Sequence, residues 1–211
     1  MTTEARLRCR CGEVEGVVGV AAPRAPTRVV GDCDDCQAVA HHLGRADVLD
    51  AQGGSDVVQV APSAVRFTKG AEHIAGLRLS PKGLYRWYAS CCKTPLGNTL
   101  APKVPFVGIV AQAFDGGLAT ADAAFGPPKA KILGKHAIGT PPPGSTGLDV
   151  RLVVGVVARI LGWKLRGKGW PHPFFDRTTR APAYPVTVIS RQERDALRRL
   201  CGPHPAAGAA A

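Results

Sequence analysis

Short runs of alternating or β-branched apolar residues, each bounded by turn residues, fill the first two thirds of the chain. Such runs predict strands, and here they cover residues 13–20, 27–31, 56–62, 64–70, 73–80, 83–90 and 104–114. Only one short helical run, which follows Cys36 and would end at Gly44, lies among them. Without long helices between the strands, an antiparallel assembly is favoured over parallel strands joined by crossover helices.

The pattern changes after the segment TPPPGSTG at 140–147, whose prolines and glycines are typical of a linker. The apolar run over 148–163 predicts a helix with a narrow polar stripe, too short at ~1.5 Å per residue to cross a ~30 Å hydrocarbon core. Ser190 and Glu193 form a capping box that predicts a second helix. We therefore predict a β domain over 1–140, a linker over 141–147, a C-terminal extension of two helices and an irregular segment over 148–202, and a disordered tail over 203–211.

Composition narrows the chemistry. The 211 residues include seven cysteines and carry a formal net charge of +11. The first residues contain no apolar stretch of the kind found in secretory signals, so we expect a cytoplasmic protein with reduced thiols. Reduced cysteines in this number favour metal binding or thiol chemistry over a disulfide framework. The positive charge favours an anionic partner, namely nucleic acid, a membrane surface or a small polyacid.

Six of the cysteines form three close pairs: Cys9 with Cys11, Cys33 with Cys36, and Cys91 with Cys92. Zinc sites with thiolate ligands commonly take sulfurs in pairs from two turns. The first and last pairs could each supply half of such a site. Neighbouring side chains of an extended strand point to opposite faces, so the last pair would serve two different sites unless a turn intervenes. Unligated thiols and a redox pair remain as alternatives.

The order of these motifs resembles the glutathione-dependent formaldehyde-activating enzyme family. The resemblance lies in C-x-C-G at residues 9–12, in GDCDDCQAVAHHLG at 31–44 and in LYRWYASCCKTPLGNT at 84–99, and it covers about the first hundred residues. It implies a mainly β fold, the Mss4-like β-tent of antiparallel sheets, followed here by a helical and proline-rich extension.

The resemblance also implies a structural zinc site in the same part of the chain. Cys9, Cys11 and Cys92 match three of the family's ligands for that zinc. Ala89 stands where the family has the remaining cysteine, and Cys91 is the best candidate to replace it.

A second, catalytic zinc would involve Cys33 and Cys36, which match the last two of the family's three ligands. Gly31 stands where the family has the first. The missing ligand would have to come from Cys91, His41, His42 or Asp32. Because two ligands hold a divalent ion poorly, we expect this site to be empty or only transiently filled.

Two functions from different classes follow. The first is a carbon–sulfur lyase that acts on a small thiol adduct such as a glutathione conjugate, with Zn²⁺ at Cys33 and Cys36 as a Lewis acid. The second is a non-catalytic β-tent module that uses its basic surface or its extension to bind a protein, a membrane surface or nucleic acid. Gly31 favours the second function, and the retained cysteine pair favours the first.

Two further features bear on partners. The apolar helix would pack on the β domain, or on a second subunit of a homo-oligomer through residues 148–161, more simply than on a membrane. Basic and aromatic residues interleave over 67–88, as in some binders of single-stranded nucleic acid. An exposed hairpin with core aromatics explains that interleaving more simply.

Overall fold

A computed structural model describes residues 3–20, 27–147 and 149–203 of the chain. The fold is mainly β, as predicted, and it contains two sheets. The strands are β1 (Thr3–Arg8), β2 (Glu15–Val20), β3 (Thr27–Gly31), β4 (Ser55–Val60), β5 (Val65–Lys69), β6 (Ile74–Arg78), β7 (Tyr85–Ala89), β8 (Thr94–Thr99), β9 (Val107–Val110), β10 (Ala130–Ile132) and β11 (Val186–Val188). The predicted tail lies outside the described residues except for Pro203.

The smaller sheet has the strand order β1-β2-β5 and is antiparallel throughout. The larger sheet has the order β10-β3-β4-β9-β8-β7-β6-β11. Its six inner strands are antiparallel, but β10 joins β3 and β11 joins β6 in parallel. The larger sheet is therefore mixed at its two edges, which the predicted antiparallel pattern does not include.

Four α-helices of the described part of the chain accompany the sheets: α1 (Asp34–His42), α2 (Leu118–Phe125), α3 (Val150–Leu165) and α4 (Arg191–Arg198). The predicted cap of the last helix is confirmed, because the Ser190 hydroxyl accepts a hydrogen bond from the Glu193 N–H at 3.1 Å. Cys201 follows this helix and is buried in a small core beside α1. Within the described residues, none of the helices combines the length and apolar character needed to cross a membrane.

The main core forms around Trp87 of β7, which is 1% exposed. Its ring stacks on Phe174 with centroids 4.7 Å apart and on Tyr85 at 5.6 Å, and its indole N–H donates to the Thr99 hydroxyl. Phe175 meets the same indole edge to face. The segment after residue 148 therefore shares a core with the β domain, and it also adds β11 to the edge of the larger sheet.

A buried arginine ties β3 to its neighbours. Arg28 forms a two-pronged contact with Asp56 of β4, in which Nε and Nη2 each lie 2.8 Å from a carboxylate oxygen. Its third nitrogen donates to the Gly126 carbonyl and to Asp122 of α2. Paired geometry of this kind compensates the cost of burying the charge. The network holds the strand that leads into Cys33.

Replacing Asp56 by Asn should lower the free energy of unfolding by about 3–5 kcal/mol, because it leaves the Arg28 guanidinium buried without its main counter-charge. Urea unfolding followed by circular dichroism measures the change. Asp122→Asn is the control, since the side chain of Asp122 is 56% exposed and water can replace it. Equal losses in the two variants would contradict the assignment of Asp56 as the main partner.

Candidate metal centre

Four cysteines from two turns lie together at one end of the sheets. Cys9 and Cys11 belong to the turn between β1 and β2, and Cys91 and Cys92 to the turn between β7 and β8. All four Sγ atoms lie within 4.8 Å of one another. The sulfur of Cys91 is 3.3 Å from that of Cys11, 3.9 Å from that of Cys9 and 3.9 Å from that of Cys92. These are the four cysteines predicted for one site, and the cluster can hold a metal ion.

The spacing of the sulfurs fits a tetrahedral ion. Zn–S bonds of ~2.3 Å place tetrahedral ligands ~3.8 Å apart, which is close to the separations of 3.3–3.9 Å found for the cysteine pairs above. Cys9 and Cys11 lie 3.5 Å apart. The ligand atoms are thus gathered with little rearrangement needed to surround one ion.

Each turn bends sharply just after its last cysteine. Gly12, which follows Cys11, has φ +77°, and Lys93, which follows Cys92, has φ +59°. The left-handed conformation costs a lysine more than a glycine. The residues on either side hold the turn at Lys93, because the Thr94 hydroxyl contacts both Cys92 Sγ and the Arg10 N–H. The turn also explains why Cys91 and Cys92 meet at one site, since the chain is not extended between them.

Hydrogen bonds to the sulfur atoms stabilise the thiolate form, which is the form that binds a metal ion. The Val14 N–H donates to Cys9 Sγ at 3.2 Å. The Thr94 hydroxyl accepts from the Arg10 N–H and from Arg45 Nη1, both at 3.0 Å, so its own proton points to Cys92 Sγ at 3.1 Å. Arg45 is in turn held by two bonds to Asp47. The cluster thus receives one donor from the Val14 backbone and one from the Thr94 hydroxyl.

The pKa values of the clustered thiols are shifted in different directions. Burial alone would raise the pKa of Cys92, but hydrogen bonds from Thr94 and from the backbone N–H of Cys11 lower it to about 6. Burial, followed by hydrogen bonds to the neighbouring sulfurs, raises the pKa of Cys91. The pKa of Cys9 is likewise raised, first by burial. Crowded thiols resist losing their protons together, and a divalent ion removes that repulsion by replacing the protons.

Cys33 and Cys36 lie elsewhere, in the first turn of α1. Cys33 is the residue before the helix, and its carbonyl accepts the Cys36 N–H at 2.9 Å. The Cys36 sulfur faces the buried guanidinium of Arg86, whose Nη1 donates to it at 3.4 Å. The larger sheet thus places a cation directly against one of the two predicted ligands.

Of the four residues predicted to complete this second site, three have different partners, and His41 is half-buried in α1 without being grouped with Cys33 or Cys36. His42 Nδ1 lies 2.9 Å from a carboxylate oxygen of Glu193, and Asp32 is fully buried with Lys131 Nζ 3.4 Å from its Oδ1. Cys91 belongs to the four-cysteine cluster. Across residues 3–20, 27–147 and 149–203, that cluster is the one group of three or more His, Cys, Asp or Glu ligand atoms close enough to share an ion. Cys33 and Cys36 therefore remain a pair.

The surroundings of Cys33 and Cys36 shift the pKa values of the two thiols in opposite directions. A hydrogen bond from the Cys33 thiol, with the charge of Arg86 in addition, lowers the pKa of Cys36 to about 6 against the opposing effect of burial. The pKa of Cys33 is raised, chiefly because its proton is held by Cys36. Burial alone would lower the pKa of Arg86, but the two sulfurs and Asp35 raise it. At neutral pH the arrangement favours a Cys36 thiolate beside an arginine cation.

A small cavity of about 30 Å³ adjoins this contact and is lined by Cys36, Arg86, Ser55 and Asn98 among apolar side chains. Neither Arg86 nor Thr94 was predicted as a site residue. The interleaved basic and aromatic residues predicted an exposed hairpin, whereas the Arg86 side chain is buried. Alternation in YRWYA puts Arg86 on the opposite face from the core residue Trp87, but it does not indicate that α1 covers that face.

Comparison with known proteins gives a family but no activity. A crystal structure of a Rhodobacter sphaeroides protein, Northeast Structural Genomics target RhR83, is similar at 18% identity and a TM-score of 0.38, over 53% of this chain and 88% of that chain. No curated protein matches the sequence significantly. The sequence model described as "Family of unknown function (DUF6151)" matches residues 1–183. Since this match covers most of the chain, the protein belongs to the DUF6151 family.

Proposed function

We propose that this chain is a zinc-binding protein in which Cys9, Cys11, Cys91 and Cys92 hold one structural Zn²⁺. The observation that carries the proposal is the gathering of four Sγ atoms within 4.8 Å from turns about eighty residues apart in the sequence. Four thiolates in tetrahedral spacing are a donor set that selects zinc over the hard cations magnesium and calcium. With all four positions taken by protein, the ion has no open site for substrate, which is typical of a structural role.

The ion joins the two sheets. One pair of ligands closes the β1–β2 turn of the smaller sheet, and the other closes the β7–β8 turn of the larger one. Because a preformed site does not exist in the unfolded chain, the free energy of zinc binding contributes to folding. When the ion is removed, the attraction between the cation and the thiolates no longer holds the two turns together.

Protein purified without added metal should contain about one zinc ion per chain. Cys92→Ser should reduce the bound zinc severalfold and destabilise the fold. Cys33→Ser is the matched control and should keep the full amount of zinc. Elemental analysis measures the metal, and thermal unfolding measures the stability. A folded, metal-free preparation that strong chelators leave unchanged would contradict the structural site, and a ratio near two would show that Cys33 and Cys36 also bind metal.

A second function is favoured by the contact between Arg86 and Cys36. We propose that this pair cleaves a carbon–sulfur bond in small thiol adducts of the hemithioacetal class, R–S–CHR′–OH. The resemblance of the cysteine motifs to the formaldehyde-activating family supports this substrate class. The polarised thiolate beside a cavity favours an enzyme over a non-catalytic binding module, which has no need of such a group.

The residues supply a balanced route for this cleavage. The Cys36 thiolate accepts the hydroxyl proton of the adduct as a general base. The carbon–oxygen double bond then forms, the carbon–sulfur bond breaks, and the electron pair leaves on sulfur as RS⁻ beside the Arg86 cation. Cys36 returns the proton to that thiolate, so the products are an aldehyde and a free thiol. A cavity of about 30 Å³ admits only a small aldehyde portion, with R remaining outside.

Cys36→Ser should reduce the release of aldehyde from S-hydroxymethylglutathione to the rate without protein, measured by trapping the formaldehyde. The wild-type rate should rise with pH through about 6, because the base is the deprotonated form of Cys36. Arg86→Met should move that midpoint to higher pH, since it removes the cation that stabilises the thiolate. Zinc content and circular dichroism should be unchanged in both variants. A Cys36→Ser variant with the wild-type rate would contradict the assignment.

A further inference from the structure

The outward side of α3 is an uncovered apolar surface. None of the 16 residues of this helix is buried. The outer face of α3, defined as Val150, Val154, Val157, Leu161 and Leu165, is exposed by 54–79% at every position. Steps of three and four residues place these side chains in one continuous stripe along the helix.

The opposite side of α3 is less exposed. Leu152, Val156, Ile160 and Trp163 lie on that side and are half-buried. The helix is therefore apolar on both sides, and only one side is partly covered by the chain. A helix that is apolar nearly all round normally has a second apolar environment, either protein or lipid.

The charges around the helix indicate which environment it is. Between Asp149 and Asp176 the chain contains five cations and no carboxylate. Arg159 is half-buried, and the exposed cations are Arg151, Lys164, Arg166 and Lys168. Asp149 caps the helix, where it accepts the Leu152 N–H at 3.1 Å. Arg166 and Lys168 also line a groove of about 780 Å³ beside the end of the helix, together with Arg66 of β5 and Glu4, whose carboxylate lies 3.9 Å from Arg66. The apolar stripe is thus continuous with a basic surface.

We propose that α3 docks on the surface of an anionic lipid bilayer. The outer face of α3 enters the boundary between headgroups and acyl chains, and the cations at its end meet lipid phosphates and carboxylates. At ~1.5 Å per residue the helix is ~24 Å long, so it lies in the interface and does not cross the ~30 Å core.

A second copy of the chain fits this surface less well. Parallel pairing of two α3 helices sets Lys164 against the same residue of the other copy. Antiparallel pairing sets Arg151 against the basic end that contains Lys164 and Arg166. Apart from the capping Asp149, this segment offers no carboxylate to neutralise these contacts. An anionic membrane offers hydrocarbon to the outer face of α3 and negative charge to the cations beside it.

The test uses the full-length protein as purified and vesicles of roughly 30% phosphatidylserine and 70% phosphatidylcholine. Flotation should recover the wild type with these vesicles, and far less with phosphatidylcholine alone or at high salt. Val154→Glu/Val157→Glu should weaken binding on the order of tenfold or more. Leu118→Glu/Val188→Glu is the control: it makes the same change in charge at two exposed aliphatic side chains of α2 and β11, and it should bind as the wild type does.

Three outcomes would overturn the proposal. The first is absence of binding to anionic vesicles, and the second is an equal loss of binding in the control variant. The third is a dimer, seen by light scattering, that Val154→Glu/Val157→Glu converts to a monomer without any vesicle binding in the wild type. That result would assign the outer face of α3 to self-association. None of these readouts depends on zinc content or on aldehyde release, so they leave the proposed function to its own tests.

Discussion

The contact between the β1–β2 turn and the β7–β8 turn fixes how the smaller sheet approaches the larger one. The two sheets also share the main core, to which the smaller sheet contributes Leu7, Val18 and Val65. Its turn is held against the larger sheet by sulfurs and by the Thr94 hydroxyl, which accepts the Arg10 N–H across the junction. The polar atoms at this junction satisfy one another, which fixes the approach of the turns more narrowly than apolar packing alone would.

Strand β7 connects this junction to the other two features of the molecule. Its alternation turns Trp87 towards the aromatic core, whereas Arg86 faces Cys36 and Tyr88 packs near the small core beside α1. The strand then ends at the Cys91–Cys92 turn. One short segment therefore positions the core, the thiol pair and the metal centre, so a change of register in β7 would exchange the faces and disturb all three.

Much of this arrangement could be predicted from local patterns, and the failures have physical causes. β-branched runs such as residues 27–31 marked strands closely, because such residues suit a pleated surface. Strand β8 was missed because TPLGNT has the composition of a turn. It is nevertheless buried between β7 and β9, where a Cβ on Gly97 would lie 2.5 Å from the Gly108 carbonyl oxygen. Close strand packing, which the sequence does not display, is what selects glycine there.

The candidate site was likewise predictable in part, where its residues follow local motifs. The four clustered cysteines could be predicted because their spacing and motifs are local, and the turn that joins the last two explains their shared site. Arg86 could not be identified, because its role depends on a contact with Cys36 fifty residues away in the sequence. A cation in an amphipathic segment is usually solvated, and only the fold distinguishes a buried one.

The net charge of +11 favoured an anionic partner without choosing one, and burial now separates the cations that can meet a partner from those that cannot. Arg28, Arg45 and Arg86 are each less than 10% exposed and are already engaged by carboxylates or sulfur. These three cations organise the interior and are unavailable to a ligand outside. The cations near α3 lie beside exposed aliphatic side chains, and that combination is unsuited to nucleic acid, which offers charge but few apolar surfaces outside its bases. An interface that presents hydrocarbon and negative charge side by side matches both properties.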